Sequence, residues 1–167
     1  NGLAIGELPK ISDLKTGSVE TFRTNPIVIE DILGRAQRVH DTKKIQELKN
    51  KVILVTGAGG SIGSELCSQI SSINPKKIIL VEYSEYNLFK ITQNLKCANR
   101  IPILADIRDS FKIEKIIKTE KPDLIFHTAA LKHITFVETD PLEALKTNFE
   151  STVNIAKLCI KYKITRM

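Results

Sequence analysis

The sequence predicts an α/β fold, a doubly wound parallel sheet with helices on both faces, and three observations carry that expectation. Short β-branched apolar runs recur from Lys51 onward, segments of helical period separate them, and a glycine-rich turn joins the first run to the first helical segment. Continuous apolar runs mark strands buried on both faces. Alternation with helices means βαβ units and right-handed crossovers.

Residues 1–50 lack this regularity. Pro9, Gly17, Asn25-Pro26 and Gly34 interrupt short apolar pieces such as Ile27-Val28-Ile29, so the stretch reads as an N-terminal arm with one or two short helices. Residues 51–167 read as one domain. Val52-Ile53-Leu54-Val55 is its first strand, Ile78-Ile79-Leu80-Val81 the second, Ile101 to Ala105 a shorter third, and Leu124-Ile125-Phe126 the fourth. Ile62, Leu66, Ile70 and Ile73 recur at helical spacing and predict one buried helix face. Leu88, Ile91 and Leu95 repeat the pattern behind Ser84, a candidate N-cap. Ile113, Ile116 and Ile117 follow Asp109.

Asp140-Pro141-Leu142-Glu143 has the residues of a capping box with proline at the first helical position. Beyond it, Leu142, Leu145, Phe149, Val153, Ala156 and Ile160 extend an apolar stripe over about five turns. Ile164 to Met167 read as the approach to a fifth strand, where the sequence stops. The domain is therefore expected to be incomplete at its C-terminus, and Asn1 in place of Met leaves room for an upstream segment.

Composition narrows the function classes. The 167 residues are 42% hydrophobic and 26% charged, which suits a single domain able to bury a core without disulfides or metals. No apolar run approaches the roughly 20 residues needed to span a bilayer, and no signal peptide is recognisable. Lys and Arg outnumber Asp and Glu by 25 to 19, a net charge of +6. The lysines are scattered and only 5% of residues are aromatic, so no nucleic-acid partner is expected. Cys67, Cys97 and Cys159 are odd in number and widely spaced, fitting neither a disulfide framework nor a zinc site. His40, His127 and His133 do not complete a metal site, and the expected compartment is the cytoplasm.

Val55-Thr56-Gly57-Ala58-Gly59-Gly60-Ser61-Ile62-Gly63 stands directly between the first strand and first helix. A pyrophosphate needs backbone N–H groups uncovered by Cβ atoms and gains from the positive end of a helix dipole. Gly57, Gly60 and Gly63 would supply the tight turn, the close approach and the close helix packing of a Rossmann-type fold. The spacing is T-G-x-x-G-x-x-G rather than G-x-G-x-x-G, and Ser64 in place of Lys excludes a P-loop. Glu82, 25 residues after Gly57, ends the second strand where a carboxylate accepts both ribose hydroxyls of NAD and repels a 2′-phosphate. NAD is expected over NADP.

The stretch Val52 to Leu66, with Asp106-Ile107-Arg108-Asp109, His127-Thr128-Ala129-Ala130-Leu131-Lys132-His133, Asp140 to Ala144 and Thr147-Asn148, resembles the extended short-chain dehydrogenase/reductase superfamily. The Ala130-Leu131-Lys132-His133 run and upstream Ile29-Glu30-Asp31-Ile32-Leu33-Gly34-Arg35 are similar to the polysaccharide-biosynthesis UDP-N-acetylglucosamine 4,6-dehydratases. The resemblance implies that Gly57, Gly60 and Gly63, with the backbone around Ser61 and Ile62, hold the pyrophosphate and that Glu82 takes the ribose. Asp106 and Ile107 would receive the adenine, and Ala129 and Ala130 would admit the nicotinamide half. Lys132 would sit where cofactor and sugar meet, and Asn148 would tie the long helix to the sheet. Of Lys132 and His133, placed next to each other on a strand, only one would face the ligand. His127, at a strand end, reads as a hydrogen-bonded structural residue.

In that family the cofactor takes a hydride from C4 of the sugar, the ketone acidifies the C5 proton, water leaves from C6 and the hydride returns there. A Ser/Thr-Asp-Lys segment and a Tyr- or Met-x-x-x-Lys pair handle the protons, and the chain ends before either. No catalytic residue is therefore assigned, and these residues alone are expected to be inactive. Tyr86 and Lys90 match Tyr-x-x-x-Lys but follow the second strand, away from the nicotinamide side. The expected substrate of the full-length enzyme is a UDP-sugar, and a homo-oligomer is expected. A membrane would enter only through a missing upstream anchor, placing the protein on the cytoplasmic face. The alternatives are a non-catalytic dinucleotide-binding module and an epimerase or reductase of the same superfamily.

Overall fold

The computed structural model describes residues 46–167 and, ahead of them, two short strands, Gly6–Glu7 (β1) and Asn25–Pro26 (β2), which pair antiparallel. The chain divides into two compact units, Asn1–His40 and Asp41–Met167. The short helices expected in the arm, the Ile27–Ile29 piece, the Ile29–Arg35 segment and His40 lie outside the described residues. In the second unit, Val52–Thr56 (β3), Lys77–Glu82 (β4), Arg100–Leu104 (β5) and Leu124–His127 (β6) form a parallel sheet in the order β5-β4-β3-β6. The Ile125 N–H donates to the Arg166 carbonyl at 3.1 Å, and Leu124 and Arg166 form a single parallel bridge on the outer side of β6. β5, the outermost strand on the other side, carries Pro102.

Side chains alternate across a strand, and here the alternation splits the core in two. Ile53, Val55, Ile78 and Leu80 meet Cys67 and Ile70 of helix α1 (Ser61–Ser72) and Leu88 and Ile91 of helix α2 (Glu85–Asn94). On the opposite face Leu54, Ile79, Val81 and Ile125 meet Ile113 and Ile117 of helix α3 (Ser110–Glu120). Sequence alternation thus produces the doubly wound Rossmann architecture directly. Replacing the fully buried Ile79 by alanine should destabilise the domain by about 2–5 kcal/mol, visible as a lower denaturant midpoint.

The cap expected at Ser84 is in place, and Asp109 caps the following helix in the same way. Ser84 Oγ accepts from the Asn87 N–H at 3.3 Å, and Asp109 Oδ1 from the Lys112 N–H at 2.9 Å. At Asp140 the positions hold, with Asp140 at the N-cap and Pro141 at the helix start, but the capping box does not form: the Asp140 side chain makes no capping bond, and Glu143 turns instead to Arg108 and Lys146. The expected long helix forms over 141–161 but widens partway. Ile134–Thr139 (α4) and Pro141–Ala144 (α5) lead into a π-helical turn, Leu145–Glu150, before Ser151–Lys161 (α6).

That wider turn shifts the helix face. Ala144, Ser151, Ile155, Leu158 and Cys159 are buried, whereas Leu142, Leu145, Phe149 and Ile160 of the expected inner stripe are exposed. The α1 face is corrected too: Gly63, Cys67 and Ile70 are its buried residues, and Ile62 is 73% exposed. All three cysteines are free and buried, and burial pushes the Cys67 thiol up to about 12. No helix among the described residues is long and apolar enough to cross a membrane.

Candidate functional site

Strand order reverses between β3 and β6, and in open α/β sheets such a reversal opens a crevice at the carboxyl ends of the strands. A cavity of about 390 Å³ lies there, lined by Gly57, Gly60, Glu82, Asp106, Ile107, Ala129 and Ala130, all sequence-predicted site residues. Ser61 lies instead on an adjoining cavity between α1 and α2. Ile62 is exposed, Gly63 is buried beneath the turn, and Lys132 is exposed outside the cavity lining.

The glycine turn is built by exclusion of side chains. Gly57 has φ +64°, and a Cβ there would fall 2.7 Å from Ala129 Cα. A Cβ on Gly63 would fall 2.1 Å from the Gly57 carbonyl oxygen, so glycine lets α1 dock on the turn. Gly60, the N-cap, meets only the Gly57 oxygen, at 3.3 Å, and otherwise faces open space. Ser64 N–H is the first to bond back into α1, to the Gly60 carbonyl at 2.9 Å. The first-turn amides before it are those that helix geometry leaves without intrahelical acceptors. No acidic side chain stands in that turn to occupy them. The arrangement is suited to an anion.

Glu82 is 9% exposed, and its carboxylate braces the turn. Oε2 accepts from the Gly59 N–H at 3.0 Å, and Oε1 from the N–H groups of Tyr83 and Ser84, each at 3.0 Å. A carboxylate offers about four acceptor positions, so capacity remains toward the groove. Gly59 itself was not among the sequence candidates. It has no room for a Cβ because Asn87 of α2 lies 2.6 Å from where one would be, which brings Asn87 to the cavity wall.

Asp106 stands in the groove with both carboxylate oxygens engaged. Oδ1 accepts from Arg108 N at 2.9 Å and Nε at 3.0 Å, and Oδ2 from Nε at 2.8 Å and a terminal nitrogen at 2.6 Å. This fork holds the Asp106 carboxyl below the ordinary carboxylate range. The other Arg108 nitrogen reaches Glu143 at 2.6 Å, joining the β5–α3 loop to α5 along the cavity. Sequence reading missed Arg108 and Glu143 as wall residues. Their signal was the run of alternating charge at Asp106-Ile107-Arg108-Asp109, which gave no hint of the distant partner.

At the end of β6, His127 lies between Thr56 Oγ1, 2.7 Å from Nδ1, and Thr152 Oγ1, 3.0 Å from Nε2. The hydrogen-bonded role expected of it holds. Burial keeps its pKa below the ordinary imidazole value. The unfolded chain therefore takes up this proton first. Stability from neutral His127 should be complete above about pH 6.5 and decline as pH falls from there through the folded-state pKa, and a Tm series between pH 5 and 8 should show it. The sharing of Lys132 and His133 between two sides of a strand fails, because residues 128–133 form a loop and α4 starts at Ile134. Asn148 ties its helix to that loop: Oδ1 accepts from Leu131 N and Nδ2 donates to Leu131 O, both at 2.8 Å.

Comparison with known proteins agrees with this geometry. Residues 53–167 match a family described as "Polysaccharide biosynthesis protein". The capsular polysaccharide biosynthesis protein CapD of Staphylococcus aureus is 40% identical over 162 residues, covering 93% of this chain and 27% of that protein. The UDP-N-acetylglucosamine 4,6-dehydratase (inverting) of Campylobacter jejuni serotype O:2 is 28% identical over 112 residues, covering 66% of this chain and 33% of the enzyme. Among solved structures, Pen from Bacillus thuringiensis superposes with a TM-score of 0.65 at 34% identity, over 70% of this chain and 36% of that one. The chain thus spans about a third or less of the length of these proteins. With the family model covering most of its length and the glycine turn, reversal crevice and strand order all in place, the chain belongs to the polysaccharide-biosynthesis family of extended short-chain dehydrogenases/reductases.

Proposed function

We propose that residues 51–167 are the NAD-binding part of a nucleotide-sugar 4,6-dehydratase acting on UDP-N-acetylglucosamine in bacterial polysaccharide synthesis. The observation that carries this reading is the glycine turn at the start of α1, braced by Glu82 through the Gly59 N–H. The residues fit the group: Gly60 leaves the approach open, the first-turn amides of α1 have no intrahelical acceptors, and no acidic side chain stands in that first turn. In this reading the backbone of Gly57, Gly60, Ser61, Ile62 and Gly63 holds the pyrophosphate and Glu82 the ribose. Asp106 and Ile107 border the adenine, Ala129 and Ala130 the nicotinamide, and Lys132 the mouth where the sugar enters. When bound, the nicotinamide supplies hydride chemistry. These residues bind and orient it.

The likeness to the Campylobacter jejuni dehydratase supports the substrate, and a UDP-glucose 4-epimerase of the same fold, from Bifidobacterium longum, has been solved with NAD+ and UDP (TM-score 0.61, 23% identity). Relatives described as UDP-glucose 4-epimerases, such as that of Caenorhabditis elegans at 29% identity, support epimerisation as the second reading. Incubating the full-length protein with UDP-N-acetylglucosamine separates the two. A product lighter by one water supports dehydration, and a product of unchanged mass overturns it in favour of the epimerase. The Glu82 carboxylate repels a 2′-phosphate, so NADP should bind about tenfold or more weakly than NAD in a side-by-side titration. Exposed Leu142, Leu145, Phe149 and Ile160 support a homo-oligomer, which light scattering on the full-length protein tests.

A further inference from the structure

The hydrogen bonds around His127 run in one direction, and that direction fixes the ring's tautomer. Thr152 has a single hydroxyl proton, and it goes to the Asn148 carbonyl oxygen at 2.7 Å. Toward His127 Nε2 the same oxygen can only accept, so Nε2 carries the ring proton. In the neutral ring Nδ1 is then an acceptor, and the fully buried Thr56 hydroxyl donates to it. Donation therefore passes from Thr56 to His127, from His127 to Thr152, and from Thr152 to the Asn148 backbone. The Asn148 side chain closes on both backbone groups of Leu131.

The end point of this series is a wall of the groove. Thr128, Ala129, Ala130 and Leu131 line the cavity but lie in a loop with no sheet ladder to hold them. One end of the loop is fastened to Thr56, whose carbonyl accepts from the Thr128 N–H at 3.2 Å and the Thr128 hydroxyl at 2.7 Å. The other end hangs on Asn148, which sits in the π-helical turn. The carbonyls of Thr147 and Asn148 in that turn accept from the hydroxyls of Ser151 and Thr152. Neither His127 nor Thr152 lines the cavity.

We propose that His127, held as its Nε2–H tautomer between Thr56 and Thr152, is a positioning residue that fixes the Ala129–Leu131 wall of the groove through Thr152 and Asn148. The effect on cofactor affinity rests on the nucleotide reading above, whereas the fixing of the wall does not. Thr152→Val removes the acceptor while keeping the branched shape, and Thr152→Ser restores it. In the full-length protein, hydrogen exchange followed by mass spectrometry should show residues 128–133 exchanging about tenfold faster in T152V, as expected for loss of one buried hydrogen bond. Exchange in β4 should be unchanged, and T152S should return to wild-type behaviour. NAD affinity should fall by a similar factor in T152V and recover in T152S. His127→Asn, which still accepts from Thr56 but cannot reach Thr152, should match T152V; if it fails to fold, T152V carries the test. Unchanged exchange at 128–133 in T152V, or a uniform rise across β3, β4 and β5, overturns the proposal. A wild-type protein that binds no NAD refutes the nucleotide reading and leaves the exchange comparison to decide the role of His127.

Discussion

Gly63→Ala is expected to abolish measurable NAD binding and to lower stability by about 3 kcal/mol, the upper part of the overpacking range. The added Cβ would stand 2.1 Å from the Gly57 carbonyl oxygen and 2.9 Å from the Thr128 hydroxyl. The nearer neighbour is backbone, so relief requires α1 to lift from the turn. Lifting the helix withdraws Cys67 and Ile70 from the core beneath β3 and β4. At roughly 2–4 °C per kcal/mol for a domain of this size, Tm should drop by roughly 6–12 °C. Gly60→Ala is the informative partner. Its Cβ would meet only the Gly57 oxygen, at 3.3 Å, so stability should change by less than about 1 kcal/mol while the methyl obstructs the approach to the amides. Equal stability losses in the two variants would contradict the separate roles assigned to these glycines.

Glu82→Ala should weaken NAD binding about a hundredfold or more. The carboxylate accepts from three backbone N–H groups, and hydrogen bonds to a charged group contribute about 1.5–3 kcal/mol each. Loss of the Gly59 bond alone leaves the glycine turn without its brace from β4. Glu82→Gln should be milder, about tenfold. Its amide oxygen can still accept from Tyr83 and Ser84, but the amide nitrogen would face the Gly59 N–H donor to donor. Calorimetric titration of both variants reads the difference. Wild-type affinity in Glu82→Ala would remove Glu82 from the binding site.

β3 and β4 were legible because each carries an uninterrupted apolar run, buried on both faces, whereas the edge strand β5 leaves Pro102 and Leu104 exposed. Glycines were legible as a motif since their spacing states what backbone must come close to. Helix faces were less so. Counting apolar residues placed Ile62 inside, yet the inner position next to the turn has to be free of a side chain, and Gly63 takes it. Along residues 141–161 a periodic stripe pointed to Leu142, Phe149 and Ile160, while Ser151 and Ile155 are the residues that are buried. A single wide turn at Leu145–Glu150 rotates everything after it, and periodicity has no means of registering an extra residue per turn. Arg108 was passed over because its consequence lies in a partner at Glu143, and the bracing of Gly59 by Glu82 because a carboxylate near ribose is expected to point outward only.

Pro102 gives the two margins of the sheet unequal character. On β5 a ring replaces an N–H that an incoming chain would need, so this margin discourages accretion. Beside β6 the ladder stays receptive, and Arg166 already occupies its first rung. Lateral growth of the sheet, whether by the protein's own chain or by a stray peptide during folding, is thereby confined to one flank.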